Sequence, residues 1–126
     1  FRTGRFAFGV VNLANPDMVG HTGVIPAVVR ACEASDAALA TIMAAVRDVG
    51  GVAIITADHG NAERMLEDDG SPHTAHTTNP VPLIVTIPGG TLAEGGELAD
   101  LAPTALQLLG IKAPLQMTGR SLVNPP

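Results

Sequence analysis

The sequence is poor in aromatic residues, cysteine and basic residues, and each shortage narrows what the chain can be. It has no tryptophan or tyrosine and only three phenylalanines among 126 residues. A core would therefore be built from Val, Leu, Ile and Ala, although aromatic side chains bury the most apolar surface per residue. The single cysteine, Cys32, excludes an intramolecular disulfide and is typical of a reducing compartment, so we expect a cytoplasmic location.

Charge and hydropathy exclude two further classes of partner. Seven Lys and Arg residues stand against twelve Asp and Glu, for a net charge of -5, and the basic residues form no cluster, which argues against nucleic acid. No apolar run approaches the ~20 residues that span a bilayer, which argues against a membrane. An apolar fraction of 46% and a mean hydropathy of +0.30 are enough to build a core and argue against disorder.

The hydrophobic pattern predicts alternating strands and helices. Residues 6–13 (FAFGVVNL) and 52–56 (VAIIT) are short apolar runs, which is typical of strands buried on both faces. Between them lies a long helical pattern that starts near Pro26 and stops at Gly50, so the three segments predict a parallel βαβ unit. The apolar stripe of this helix comprises Val28, Cys32, Leu39, Ile42, Met43, Val46 and Val49.

A third strand and a shorter helix follow a long polar loop. Residues 81–87 (VPLIVTI) predict the strand, and residues 100–109 predict the helix, with Gly110 as its stop. Three strands and so few helices cannot cover both faces of a parallel sheet. The predicted fold class is therefore α/β, an incomplete doubly wound, mostly parallel sheet flanked by helices.

Ionisable residues follow the predicted strands, where α/β sheets gather their ligands. Asp17 and His21 follow the first strand, Asp58 and His59 the second, and His76 lies in the loop before the third. Two carboxylates and three imidazoles without a thiolate suit Mn²⁺ or Zn²⁺. Each of these residues could instead be an ordinary solvated or hydrogen-bonded side chain, and the spacing of His76 alone is a weak signal.

Five strings resemble the cofactor-independent phosphoglycerate mutases, a branch of the alkaline-phosphatase-like superfamily. They cover most of the chain from Phe6 to Leu122: NPDMVGHTG at 15–23, ITADHGNAE at 55–63, TAHTTNPVPLI at 74–84, LADLAPTALQLLGI at 98–111 and MTGRSL at 117–122. The resemblance implies an alkaline-phosphatase-like fold and an enzyme that interconverts 3-phosphoglycerate and 2-phosphoglycerate, a step of glycolysis and gluconeogenesis. It also implies a phosphoserine intermediate and no requirement for 2,3-bisphosphoglycerate.

The resemblance further implies two metal ions, Mn²⁺ or in some members Zn²⁺ or another divalent ion. Asp17, His21 and His76 would hold one, and Asp58 and His59 would supply part of the second site. The polar neighbours of these ligands would either orient the imidazoles or make ordinary turn hydrogen bonds; they are Asn15, Thr22, Asn61, Thr77 and Asn79.

Parts of the family pattern have no match in this chain. The chain lacks the early strand that bears an Asp, the segment with the nucleophilic Ser and the inserted transferase domain that binds substrate. No serine of this chain lies in a motif that matches the nucleophile. We therefore expect residues 1–126 to be the C-terminal portion of the metal-binding phosphatase domain. On its own it would bind about one metal ion, lack mutase activity and, with an open sheet edge, self-associate.

Two alternatives remain open at this point. The chain could derive from another phosphatase or phosphodiesterase of the same superfamily, which an upstream nucleophile strand without a large inserted domain would favour. It could also be a non-catalytic metal-binding module. An initiator Met directly before Phe1 would favour that second alternative.

Overall fold

The computed structural model describes residues 2–124, which divide into two compact units. Within these residues, the first unit is formed by residues 2–51 together with His59–Val81, and the second by Val52–Asp58 together with residues 82–124. The first unit carries two helices and the polar loop, and the second carries the short strands and the remaining helices.

Two packed helices form the body of the first unit. Helix α1 (Asn15–Gly20) starts at a proline-containing first turn, where Asp17 places its carboxylate close to the positive end of the helix dipole. Helix α2 (Ile25–Asp48) packs against α1, and the long helix predicted from the apolar stripe is confirmed. Among the described residues, no helix is long and apolar enough to cross a membrane.

Helix α2 ends in a Schellman motif, as its glycine stop predicts. Gly50 has a φ of 65°, its N–H bonds to Arg47 O at 3.0 Å, and the next N–H, of Gly51, bonds to Val46 O at 2.9 Å. The buried residues of the helix are Val28, Ala31 and Val46. Cys32, which we placed on the apolar stripe, is exposed, because Ala31 takes the buried position of that turn.

The first predicted strand is wrong for the described residues. Residues 6–13 form no ladder there, because a strand needs a hydrogen-bonding neighbour and none of the described residues pairs with this run. Its side chains stay exposed, with Phe6, Phe8, Val10 and Val11 each more than half accessible to solvent. The parallel βαβ unit that depended on this strand is therefore not formed.

The second unit contains two antiparallel ladders, where we expected parallel strands. Strand β1 (Ile54–Thr56) pairs with β2 (Leu83–Val85), with Ile55 opposite Ile84. Strand β3 (Thr91–Leu92) pairs with β4 (Val123–Asn124). The second and third apolar runs are thus confirmed as strands of reduced length, and the direction of their pairing is corrected: β1 and β2 pair directly, without a crossover helix of their own.

The core of the second unit lies around a short helical segment. A 3₁₀ turn (Leu98–Asp100) leads into helix α3 (Leu101–Leu108), which confirms the predicted short helix. Thr104 and Leu122 are almost completely buried, at 0% and 2% exposure. The Thr104 hydroxyl donates to Asp100 O at 2.7 Å and accepts from Leu122 N at 3.0 Å, so one side chain joins the helix to the tail.

Candidate metal centre

Three electron-rich atoms of the first unit converge on one point. His21 Nε2 lies 3.1 Å from His76 Nε2 and 3.3 Å from Asp17 Oδ1, and His76 Nε2 lies 3.2 Å from Asp17 Oδ1. Helix α1 carries Asp17 in its first turn and ends just before His21, so the two share one face at i and i+4. His76 comes from the polar loop, 55 residues further along the chain than His21.

Backbone contacts fix the orientation of the His21 ring. Its Nδ1 lies 2.7 Å from Thr74 O. A carbonyl oxygen can only accept, so Nδ1 must carry the proton and donate it, and in the neutral ring Nε2 then presents its lone pair. This lone pair faces Asp17 Oδ1 and His76 Nε2, the arrangement that a ligand imidazole needs.

His59 joins the same cluster from the segment after β1. Its ring stacks on that of His76 with centroids 3.7 Å apart, and ligand atoms of Asp17, His59 and His76 lie within 4.8 Å of one another. The structure therefore brings His59, which we assigned to the second metal, next to residues that we assigned to the first. Asp58 belongs to the second compact unit and is exposed.

Asn61 connects the cluster to helix α1. Its side-chain amide donates to Asp17 Oδ1 at 2.9 Å, and the residue itself is buried, at 6% exposure. Gly20 makes this approach possible, since a Cβ there would lie 2.8 Å from Asn61 Cγ and closer still to its Oδ1. The absence of a side chain at Gly20 thus lets Asn61 reach the carboxylate.

Glu63 gathers the remaining polar residues of this region. It accepts from Asn61 N at 2.6 Å, from Asn79 Nδ2 at 2.9 Å and from the Thr77 hydroxyl. These hydrogen bonds, that from Thr77 above all, lower the pKa of Glu63 from 4.5 to about 2. Sequence reasoning gave Glu63 no role, because its partners lie up to 16 residues away and no spacing rule connects them.

The other singled-out residues make local contacts. The Thr22 hydroxyl donates to Val19 O at 2.6 Å, an ordinary turn hydrogen bond, and Asn15 is the first residue of α1. His73 lies 2.7 Å from a Glu67 carboxylate oxygen, and this hydrogen bond lowers the pKa of the Glu67 carboxyl. Arg64 pairs at the surface with the same Glu67.

Comparison of the sequence with known proteins identifies the family of the chain. Residues 1–113 match the model of the metalloenzyme superfamily. The chain is 52% identical over 132 aligned residues to a 2,3-bisphosphoglycerate-independent phosphoglycerate mutase of Microcystis aeruginosa, and 56% identical over 126 to that of Chloroflexus aggregans. It is 56% identical over 115 residues to that of Listeria monocytogenes.

These alignments cover most of this chain and a minor part of each relative. They include 97%, 94% and 91% of the chain, but 25%, 23% and 22% of the respective relatives. The chain therefore spans about a quarter of the length of the curated relatives it matches. The resemblance seen in the five strings is confirmed, and the chain belongs to the metalloenzyme superfamily.

Proposed function

We propose that Asp17, His21 and His76 hold one divalent metal ion. The observation that carries the proposal is the mutual spacing of their donor atoms, 3.1–3.3 Å. Donors bound at about 2.0–2.2 Å to a common ion lie roughly 3.0–3.5 Å apart in octahedral or tetrahedral geometry, so the set fits. A carboxylate with two imidazoles suits Mn²⁺, and it would also accept Zn²⁺.

A second ion would take Asp58 and His59, completed by groups from elsewhere in the parent protein. The position of His59 within 4.8 Å of donor atoms of Asp17 and His76 supports two neighbouring sites over two distant ones. When bound, paired divalent ions stabilise the charge on a transferred phosphoryl group and lower the pKa of a nucleophilic hydroxyl.

The residues around the donors would act by orientation. Thr74 O holds the His21 ring so that Nε2 faces the site, and the Asn61 amide holds Asp17 Oδ1. Such outer contacts fix ligand geometry before an ion arrives, and losing one commonly lowers metal affinity by about 10–100-fold. Of the five polar neighbours suggested by the sequence, we assign this role to Asn61 directly, and to Thr77 and Asn79 through Glu63.

For the parent protein we propose a phosphoglycerate mutase that interconverts 3-phosphoglycerate and 2-phosphoglycerate through a phosphoserine. Identity of 52–56% to mutases over nearly the whole chain supports this activity. Residues 1–126 would form the C-terminal portion of its doubly wound phosphatase domain, with the nucleophilic Ser and the substrate-binding domain supplied from elsewhere in the parent. A glycolytic enzyme also agrees with the cytoplasmic location that the single cysteine suggests.

A coupled assay on the parent protein tests this proposal. The parent should convert 3-phosphoglycerate without added 2,3-bisphosphoglycerate, lose activity with a chelator and regain it with Mn²⁺, while the 126-residue chain alone should show no turnover. His76→Ala in the parent should abolish activity, whereas Glu33→Gln, a surface change on α2, should leave it intact. Hydrolysis of phosphate esters without mutase activity would replace the proposal with the phosphatase alternative, and turnover by the chain alone would contradict its assignment as an incomplete part.

A further inference from the structure

Glu63 is an exposed carboxylate whose acceptor positions are nonetheless filled. It receives the backbone N–H of Asn61, the side-chain amide of Asn79 and the hydroxyl of Thr77. Exposed glutamates usually remain solvated and mobile, because fixing such a side chain costs conformational entropy. Here the low pKa, about 2, keeps Glu63 an acceptor-only anion throughout the neutral range, which matches three donors.

The donors to Glu63 come from two loops, residues 59–63 and residues 74–79, whose backbones are connected by a short bridge. Gly60 and Thr77 form an isolated antiparallel bridge, in which Thr77 N donates to Gly60 O at 2.9 Å. The Glu63 carboxylate lies beside this bridge and adds side-chain hydrogen bonds from Thr77 and Asn79 of the second loop. A Cβ at Gly60 would collide with both Thr77 Oγ1 and Glu63 Oε1, so the glycine keeps this space open.

Each loop also carries proposed metal ligands next to the residues that Glu63 holds. In the first loop, Asn61 gives its N–H to Glu63 and its side-chain amide to Asp17 Oδ1. In the second loop, Thr77 directly follows His76, whose Nε2 lies 3.2 Å from the same Asp17 oxygen. The carboxylate of Glu63 is thus connected to Asp17 of α1 through Asn61, and to His76 through the neighbouring residue Thr77.

We propose that Glu63 is a positioning residue for the metal centre. It clamps the loop of residues 59–63 to the loop of residues 74–79, and through Asn61 and Thr77 it sets the distance between Asp17 and His76. This inference rests on the proposed metal-binding role of Asp17, His21 and His76. Glu63 would act on the ligands indirectly, through its hydrogen bonds with Asn61, Thr77 and Asn79.

The test compares Glu63→Gln with Glu67→Gln in the 126-residue chain. Glu67 provides the matched control, because it is also an exposed, hydrogen-bonded glutamate of the first unit, but its side-chain partners are His73 and Arg64. The first measurement is amide hydrogen exchange at Thr77 without metal. We expect Glu63→Gln to raise the exchange rate about tenfold or more, because the loops would then be joined by the Gly60–Thr77 bridge and the stacking of His59 on His76, without the side-chain clamp.

The second measurement is titration with Mn²⁺, and with Co²⁺ as a spectroscopic probe. Glu63→Gln should weaken Mn²⁺ binding by about 10–100-fold and alter the visible absorption of bound Co²⁺, whereas Glu67→Gln should change neither by more than about threefold. A purely structural role of Glu63 would lower the stability of Glu63→Gln and leave the Co²⁺ spectrum unchanged. If Glu63→Gln does not fold, Thr77→Val removes one donor while keeping the carboxylate and should give the same two changes.

Three results separate this inference from the proposed function. Unchanged Mn²⁺ affinity in Glu63→Gln, whatever the exchange rate, would overturn the positioning role while leaving the metal centre in place. If the wild-type chain binds neither Mn²⁺ nor Co²⁺, both the metal centre and the positioning role are contradicted. Faster exchange of the Thr77 amide in Glu63→Gln would then show only that Glu63 joins the two loops. Mn²⁺ binding that depends on Glu63, in a parent protein without mutase activity, would support the inference and contradict the proposed reaction.

Discussion

Replacement of Gly20 by alanine should displace Asn61 from Asp17. An added Cβ would lie 2.8 Å from Asn61 Cγ, whereas ordinary contacts begin at 3.4 Å. Asn61 Oδ1 would lie closer still, so the amide must retreat by more than about 0.6 Å, which stretches its 2.9 Å bond to Asp17 Oδ1 beyond about 3.5 Å, the outer limit of a hydrogen bond.

The magnitude follows from two opposing effects. A lost hydrogen bond to a charged group costs about 1.5–3 kcal/mol, and alanine in place of a helical glycine returns about 0.5–1 kcal/mol. Since Gly20 is the last residue of α1, the helical gain should be at the lower end of that range. We therefore expect a net loss of about 1–2.5 kcal/mol in the free energy of unfolding and a loss of metal affinity of about 10–100-fold.

A double-mutant cycle with Asn61→Ala isolates this cause. Urea denaturation and Mn²⁺ titration should show that Gly20→Ala is harmful in the wild type but neutral or slightly stabilising when Asn61 is alanine, because the clash partner is gone. Met18→Ala, an exposed change on the same helix, serves as the control for α1 itself. Additive effects of Gly20→Ala and Asn61→Ala would refute the reasoning.

Three further predictions concern stability and assembly. Thr104→Val should lower the free energy of unfolding by about 1–3 kcal/mol, because it leaves the buried N–H of Leu122 without an acceptor. Thr104→Ser keeps the hydroxyl and should lower the free energy of unfolding less. Equal losses for the two variants in urea denaturation would contradict this prediction. The backbone N–H of Arg120, and then that of Glu97, holds the pKa of Asp100 below its ordinary 3.8. The stability that the ionised Asp100 contributes is therefore complete above about pH 4 and is lost as the pH falls through its folded pKa. Asp100→Asn should accordingly lower the free energy of unfolding at pH 7, and this difference from the wild type should shrink below pH 3.8. A difference independent of pH would contradict this origin. The exposed apolar run of residues 6–13, in which Val10 is 82% accessible, should make the chain self-associate in light scattering, whereas a stable 12.8 kDa monomer at high concentration would argue against it.

The helices could be predicted because their signals are local. The apolar period and the glycine after the last turn identify α2 and α3, and in both helices that glycine closes a Schellman motif, Gly50 with a φ of 65° and Gly110 with a φ of 69°. Helix α1 was missed although Pro16 near its start is a recognised first-turn signal, since a six-residue helix provides no apolar period to detect.

The strands could be located but not paired. Residues 6–13 have the composition of a buried strand, yet a strand exists only with a neighbour, and composition does not state whether the chain supplies one. The same limitation hid the antiparallel direction of β1 and β2, whose residues are about 30 positions apart, as in the pair Ile55 and Ile84.

The candidate site divides in the same way. Asp17 and His21 were grouped because both follow the first apolar run, whereas the helix α1 that brings them to one face was not predicted. His76 came only from resemblance to a family. The contacts of Asn61 with Asp17, 44 residues apart, and of Glu63 with the second loop depend on tertiary structure that no local pattern encodes.

The most direct test of the account is anomalous diffraction from crystals of the chain grown with Mn²⁺. We expect one strong anomalous peak that lies within about 2.3 Å of each of three atoms, Asp17 Oδ1, His21 Nε2 and His76 Nε2. A peak that any of these three atoms fails to reach, or no peak at saturating Mn²⁺, would contradict the metal centre on which the proposed function depends.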